Sequence, residues 1–241
     1  MVTRKAIIIG NAGGYRGLNF LKGVAIDLDN YKSFLQSKAG GQWRENEITV
    51  LKDSDSKTLI NHIAASQADY TFITFSGHGY ISTYNSSDYV CLTDIDLSIG
   101  KLVSPSRKQT IVIDACREYH KPIPGDTSKA LTEAIQLRVE VRETRQLFDD
   151  AIVQLPEGIV LVFSTQPNQT AGDDEFKGGH FTYSFIKSGR DWWNTSSGIL
   201  RTDSAVATAE KIMKATFITN QKPELAGQIR RLTFPPFSIS R

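Results

Sequence analysis

His78 stands in the run Phe75-Ser76-Gly77-His78-Gly79, and Cys116, 38 positions further on, stands in Ile113-Asp114-Ala115-Cys116-Arg117. An imidazole beside a thiol can take the thiol proton, or stand as a cation next to the thiolate, and so activate a nucleophile without a metal. Both residues lie just past an apolar run, which places them at the carboxyl ends of candidate strands, where open parallel sheets bind their ligands. If those strands are neighbours, the imidazole and the thiol face each other across one edge of the sheet. Gly79 has no side chain to obstruct its N–H, which with the Cys116 N–H would form an oxyanion hole; the chemistry implied is acyl transfer. Residues two apart on a strand project to one face, so Asp114 joins Cys116 and Ser76 joins His78 in the same open cleft. A carboxylate there selects a cationic side chain, Arg through two hydrogen bonds or Lys as a point charge, and repels an acidic one.

Such a site needs a scaffold. With 241 residues, 40% hydrophobic and 22% charged, the chain is long enough to bury one sizeable core. A net charge of +2, with Lys and Arg scattered, leaves no basic stripe for nucleic acid or an anionic membrane. No apolar run approaches a bilayer span, and Ala6–Ile9 is too short for a secretory core, so the expected location is cytoplasmic. The two cysteines are too few for a disulfide framework.

The elements alternate. Lys5–Ile9 reads as a buried strand ending in Gly10-Asn11-Ala12-Gly13-Gly14. Leu21, Val24, Leu28, Tyr31 and Leu35 then recur at helical spacing. Ile48–Leu51 and Ser56–Gln67 read as strand and helix. Tyr70–Phe75 and Thr110–Ile113 are β-branched and aromatic without clean alternation, as expected of strands covered on both faces. From 117 to 156 the pattern weakens into a long exposed loop with some helix. Gly158–Ser164 restores a strand, Phe181–Lys187 and Ser204–Thr216 are helical, and Ile229–Phe234 reads as an edge strand stopped by Pro235-Pro236.

Ser-Gly-His-Gly followed by Asp-Ala-Cys-Arg resembles the caspase-like clan of cysteine peptidases, and is most similar to metacaspases and their prokaryotic relatives, the orthocaspases. Leu21-Lys22-Gly23 with Asp27 and Leu35, Gln169-Thr170-Ala171, Gly179-His180-Phe181-Thr182 and Gln221-Lys222-Pro223 extend the likeness over nearly the whole chain. The resemblance implies a three-layer α/β sandwich, with a mostly parallel sheet of about six strands and helices on both faces. It implies one peptidase domain without a pro-domain, divided into a large-subunit-like part (1–116), a cleavable linker (117–156) and a small-subunit-like part (157–241). His78 and Cys116 would be the catalytic dyad, and Ser76 and Asp114 would line the primary specificity pocket. Caspases carry Gln where this chain has Asp114 and cut after Asp. The expected substrate is therefore a protein or peptide cut after Arg or Lys, with self-cleavage at Lys121, Lys129, Arg138, Arg142 or Arg145 and a role in cell death or defence.

Metacaspases often place a further acid near the end of the first strand, whereas 11–20 holds no acid and has Arg16. Their paired acids before Gln-Thr are Pro167-Asn168 here, so no cofactor is required on those residues; Asp94, Asp96, Asp173 and Asp174 are the remaining calcium candidates. Caspases dimerise through their last strand and metacaspases usually do not, which favours a monomer. Cys91 reads as core, and His62, His120 and His180 lack metal-ligand spacing. Gly10–Gly14 lacks the phosphate-loop ending. Trp192-Trp193 reads as a cap on the core ahead of the alternative, the lining of a substrate subsite. Two alternatives remain: a caspase-like interaction module with an idle dyad, and a protease of non-basic specificity.

Overall fold

The computed structural model describes residues 2–120, 143–227 and 233–240. In chain order the elements are β1 (Arg4–Asn11), α1 (Gly23–Gln36), β2 (Ile48–Lys52), α2 (Ser56–Ala64), β3 (Tyr70–Gly77), β4 (Gly79–Ser82), β5 (Asp88–Cys91), β6 (Asp96–Ser98) and β7 (Lys108–Asp114). They continue with β8 (Tyr119–His120), α3 (Glu143–Gln154), β9 (Gly158–Phe163), β10 (Asp173–Asp174), β11 (Gly178–Gly179), α4 (His180–Thr195), β12 (Gly198–Arg201), α5 (Thr202–Phe217), β13 (Glu224–Ala226) and β14 (Pro236–Ser240).

Six strands form the central sheet in the order β13-β9-β7-β3-β1-β2. Five run parallel, and β13 closes the edge antiparallel to β9. Alternate residues of each strand feed opposite cores, which is why these strands read as unbroken apolar runs. On one face Ala6, Ile8, Phe72, Val112 and Val160 pack against Leu28 and Tyr31 of α1, Phe148 and Ile152 of α3, Phe181 and Phe185 of α4 and Ala209 of α5. On the other, Ile7, Ile9, Ile73, Phe75, Ile111 and Ile113 meet Leu59 and Ile63 of α2 and Val90, Leu92 and Leu97 of the segment after β3. The three-layer reading of the sequence is the observed architecture.

Three corrections concern segments outside the central parallel strands. Residues 79–98 and 119–120 build a second sheet, β6-β5-β4-β8, which the sequence reading did not separate out; β4, β5 and β6 pair as local antiparallel hairpins, and β8 joins β4 in parallel from beyond β7. The helix within the 117–156 linker, α3, is no part of an exposed loop, because Phe148 and Ile152 enter the main core. Of the expected edge strand Ile229–Phe234, 229–232 lie outside the described residues and Thr233 and Phe234 are not in a strand; among the described residues β13 forms the edge beside β9. The Pro235-Pro236 pair precedes a strand rather than ending one. Pro236 is the first residue of β14, a position that needs no ladder N–H, and β14 pairs with β12.

Among the described residues, no helix is long and apolar enough to cross a membrane. Trp192 and Trp193 lie on α4, partly buried against the main core, as a cap would.

Candidate active site

β3 and β7 are adjacent and parallel, with Ser76 opposite Asp114 in register. His78 and Cys116 each lie two residues past that pair, so the topology delivers them to neighbouring strand ends, about 5 Å apart across the sheet. His78 Nε2 lies 2.7 Å from the Asn19 carbonyl oxygen. A carbonyl only accepts, so Nε2 carries the proton and Nδ1 is left as the basic nitrogen. The backbone of His78 is fixed separately, by the Cys91 N–H donating to its carbonyl at 2.9 Å.

Cys116 Sγ is partly exposed and accepts from the Ala171 N–H at 3.3 Å. Burial pushes its thiol pKa up, against the opposing pull of that N–H, and the carboxylates of Glu118 and Asp114 add to the rise. Gly79 lies against the nucleophile: a Cβ there would sit 2.8 Å from Ala115 Cβ and 3.3 Å from the Cys116 carbonyl oxygen. The backbone at Gly79 thus lies close beside that of Ala115 and Cys116. Cys91 is buried, and burial raises its thiol pKa strongly.

Asp114 is where the sequence reading needs changing. Its side chain does not open into a cleft. The residue is 5% exposed, and Oδ2 accepts from both the Thr182 N–H at 3.0 Å and the Thr182 hydroxyl at 2.7 Å. Ser76 is equally enclosed, and its hydroxyl donates to a second carboxylate, Asp27 of α1, at 2.5 Å. Asp27 is fully buried and also accepts the Gly179 N–H at 2.9 Å. Gly179 lies between the two acids: a Cβ there would be 2.4 Å from Asp114 Oδ2 and 3.1 Å from Asp27 Oδ2, so only glycine fits. Burial raises the pKa of both acids; for Asp27 the Asp114 charge raises it further, and nearby Asp173 pushes both the same way. The structure thus holds a closed pair of carboxylates under the β10–β11 hairpin, and among the described residues neither is in an ion pair with a Lys or Arg.

Asp27 was missed as a site residue, although the sequence carried a signal. It lies three residues after Val24 and four before Tyr31, which puts a carboxylate on the apolar face of α1. The motifs near 169 and 221 also converge here. Gln221 accepts from the Gly172 N–H and donates to the Ser164 carbonyl, while Gln169 Oε1 accepts from the Gln166 and Lys222 N–H groups. Arg117, next to the nucleophile, is clamped by Asp88 at 2.6 Å, Glu224 at 2.6 Å and the Thr165 carbonyl, with its guanidinium 3.9 Å from the centre of Phe163.

Of the residues named for self-cleavage, Lys121, Lys129, Arg138 and Arg142 lie outside the described residues. Arg145 does not fit that role. It is on α3, and its guanidinium makes two hydrogen bonds to the Glu47 carboxylate and one to the Gln42 carbonyl, so it presents no extended, open bond. The calcium candidates fall into separate places with other partners. Asp94 accepts from the Ser56 N–H and hydroxyl, Asp96 pairs with Arg16, Asp173 accepts from the Gly23 N–H, and Asp174 caps Phe176 and Lys177. Among the described residues no three His, Cys, Asp or Glu side chains are grouped as a metal ion would need. His180 opens α4 and stacks on Phe217 at 3.9 Å; burial lowers its pKa.

A parallel α/β sheet with helices on both faces, carrying His and Cys beyond adjacent strand ends, defines a caspase-like cysteine peptidase domain. The family model described as "Caspase domain" (Peptidase_C14) matches residues 3–233, and the chain belongs to that family. In fold it is similar to caspase-1 from Spodoptera frugiperda, with a TM-score of 0.64 at 16% identity over 100% of this chain and 91% of that one. A sequence search of curated proteins gave no match.

Proposed function

We propose that this protein is an endopeptidase that uses His78 and Cys116 to cut peptide bonds after Arg or Lys. The observation that carries the specificity is the carboxylate pair Asp27 and Asp114, enclosed beside the nucleophile strand with the Ser76 hydroxyl. Two neighbouring buried acids cannot both ionise without a cation, and a guanidinium or ammonium entering between them supplies the missing charge. Gly178–Gly179 must lift from the acids to admit it.

The raised thiol pKa favours general-base attack over a standing ion pair. His78 Nδ1 takes the Cys116 proton as Sγ bonds to the substrate carbonyl carbon, and the oxygen left negative is held by the Gly79 and Cys116 N–H groups. Collapse breaks the C–N bond, with the imidazolium giving its proton to the leaving amine and a thioester remaining. Water, deprotonated by His78, then releases the acid and restores the thiol. Self-processing at the basic residues of 121–142, and cleavage of a downstream effector protein, belong to the same proposal.

Purified protein is to be incubated with Arg-, Lys- and Asp-ended fluorogenic peptides. Turnover of the first two, lost in Cys116→Ala, is the expected result. Cleavage after Asp alone would overturn the specificity, and unchanged activity in Cys116→Ala would overturn the mechanism. Absence of turnover, with biological function kept in Cys116→Ala, would instead establish an interaction module.

A further inference from the structure

The geometry points to the buried ion pair Arg16–Asp96 as a positioning device for His78, an inference that rests on reading His78 as the base. The imidazole is gripped from two sides by different elements. Its backbone belongs to the second sheet, since the Cys91 N–H of β5 donates to the His78 carbonyl and β4 begins at the next residue. Its ring belongs to the Ala12–Phe20 loop, whose Asn19 carbonyl accepts from Nε2. An error in the spacing of these two elements would tilt the ring and release the tautomer.

Arg16 sets that spacing. It leaves the loop in a left-handed backbone conformation, φ +53°, that a residue with a side chain adopts only when its surroundings require it. Its guanidinium reaches across to the second sheet, where Nη2 lies 2.9 Å from Asp96 Oδ1 and Nη1 donates to the Leu92 carbonyl at 3.0 Å. The two side chains are only 3% and 5% exposed, so water does not screen the pair. Asp96 is placed opposite Cys91 in the β5–β6 register, and its other oxygen accepts from the Tyr80 hydroxyl at 2.8 Å. The strut therefore runs from the loop that holds the ring to the strands that hold the backbone.

The rest of the loop transmits the position. The Leu21 N–H donates to the Ala12 carbonyl, Gly14 to Leu18 and Leu18 to Tyr15, leaving a compact turn between Arg16 and Asn19. Gly13, φ +83°, lies under the contact itself; a Cβ there would be 2.2 Å from the Asn19 oxygen and 2.9 Å from His78 Nε2. Arg16, the only charged residue in 11–20, is thus engaged by the second sheet.

The test compares wild type, Asp96→Asn, Arg16→Gln and the neutral pair Arg16→Gln/Asp96→Asn, which leaves no uncompensated buried charge if a single variant fails to fold. Tyr80→Phe, which removes a hydroxyl from Asp96 but keeps the ion pair, is the control. Two quantities are read: kcat and KM on the best basic peptide, and the His78 ring tautomer by 15N NMR of histidine-labelled protein. Loss of the strut is expected to lower kcat about 10- to 100-fold. KM should stay within about twofold, since substrate binding is untouched. The His78 Nε2–H form should give way to a mixture of tautomers, while Tyr80→Phe matches wild type. Variants with lowered thermal stability, unchanged kcat and an unchanged His78 tautomer would reduce Arg16–Asp96 to a structural pair and overturn the inference. If wild type itself shows no Cys116-dependent turnover, the proposed function falls and the tautomer alone decides the role of the strut.

Discussion

Replacing Asp114 by asparagine isolates the charge on which the proposed specificity depends. Two hydrogen bonds to this side chain, from the Thr182 N–H and the Thr182 hydroxyl, arrive at a single oxygen, and the Ser164 hydroxyl is a further partner of the carboxylate. An asparagine with its carbonyl oxygen in that place keeps both and changes no volume. What it loses is a negative charge in a site 5% exposed, where an incoming guanidinium is poorly screened. Truncating one partner of a buried, hydrogen-bonded charge pair costs roughly 2–5 kcal/mol. At about 1.4 kcal/mol per tenfold, and with Asp27 still present, the expected fall in kcat/KM is about 30- to 300-fold for Arg- and Lys-ended peptides. Peptides with an uncharged residue before the scissile bond should lose little, and alkylation of Cys116 by iodoacetamide should be no slower than in wild type, since the Asp114 charge adds to the rise of the thiol pKa. The assay is a side-by-side kcat/KM series on the three peptide classes at one ionic strength. A loss below about threefold on basic peptides, well under the lower bound of such pairs, would refute the placing of the cation against Asp114. An equal loss on all three classes would show that Asp114 shapes the nucleophile instead.

Two further outcomes follow from the same contacts. Asp27 has its pKa raised by burial and by Asp114, so the folded chain keeps a proton that the unfolded chain sheds near pH 4; stability conferred by that proton is lost as pH rises through the raised value. Asp27→Asn, whose amide can still serve Gly179 and Ser76, should melt higher than wild type at pH 7.5. The gain, about 2–4 °C for each kcal/mol recovered, should shrink toward pH 4, and a gain independent of pH in calorimetry would contradict the burial argument. Arg117→Met keeps an unbranched stem but removes the guanidinium from Phe163 and strands Asp88 and Glu224, for which a cost of about 3 kcal/mol and a fall of about 6–12 °C in Tm are expected by thermal denaturation. A variant melting within about 2 °C of wild type would show that water already satisfies both acids.

The positions of His78 and Cys116 were legible because strands covered on both faces announce themselves as continuous apolar runs, and whatever follows such a run in a parallel sheet lies at the ligand edge. Ile7–Ile9, Phe72–Phe75 and Ile111–Ile113 carry that signal, and β3 and β7 proved to be neighbours. Two-residue alternation likewise placed Asp114 on the face of Cys116 and Ser76 on that of His78. These are local rules, fixed by strand geometry and decided within a few residues.

Whether those side chains open or close is decided elsewhere in the chain. Asp114 is shut in by Gly179, 65 residues later in sequence, and its charge raises the pKa of Asp27, 87 residues earlier. The Asn19 carbonyl that fixes the His78 tautomer is a backbone atom and leaves no mark in residue identity. Arg145 looked like an open cleavage point until Glu47 supplied its partner, and Arg16 looked like a misplaced pocket residue until Asp96 did the same. The sequence by itself determined on which strand ends His78 and Cys116 stand, because strand period and burial are short-range. Only the tertiary structure decided which carboxylates face one another, which are closed off and which cations are already paired, because electrostatic environment is a property of distances between residues far apart in the chain.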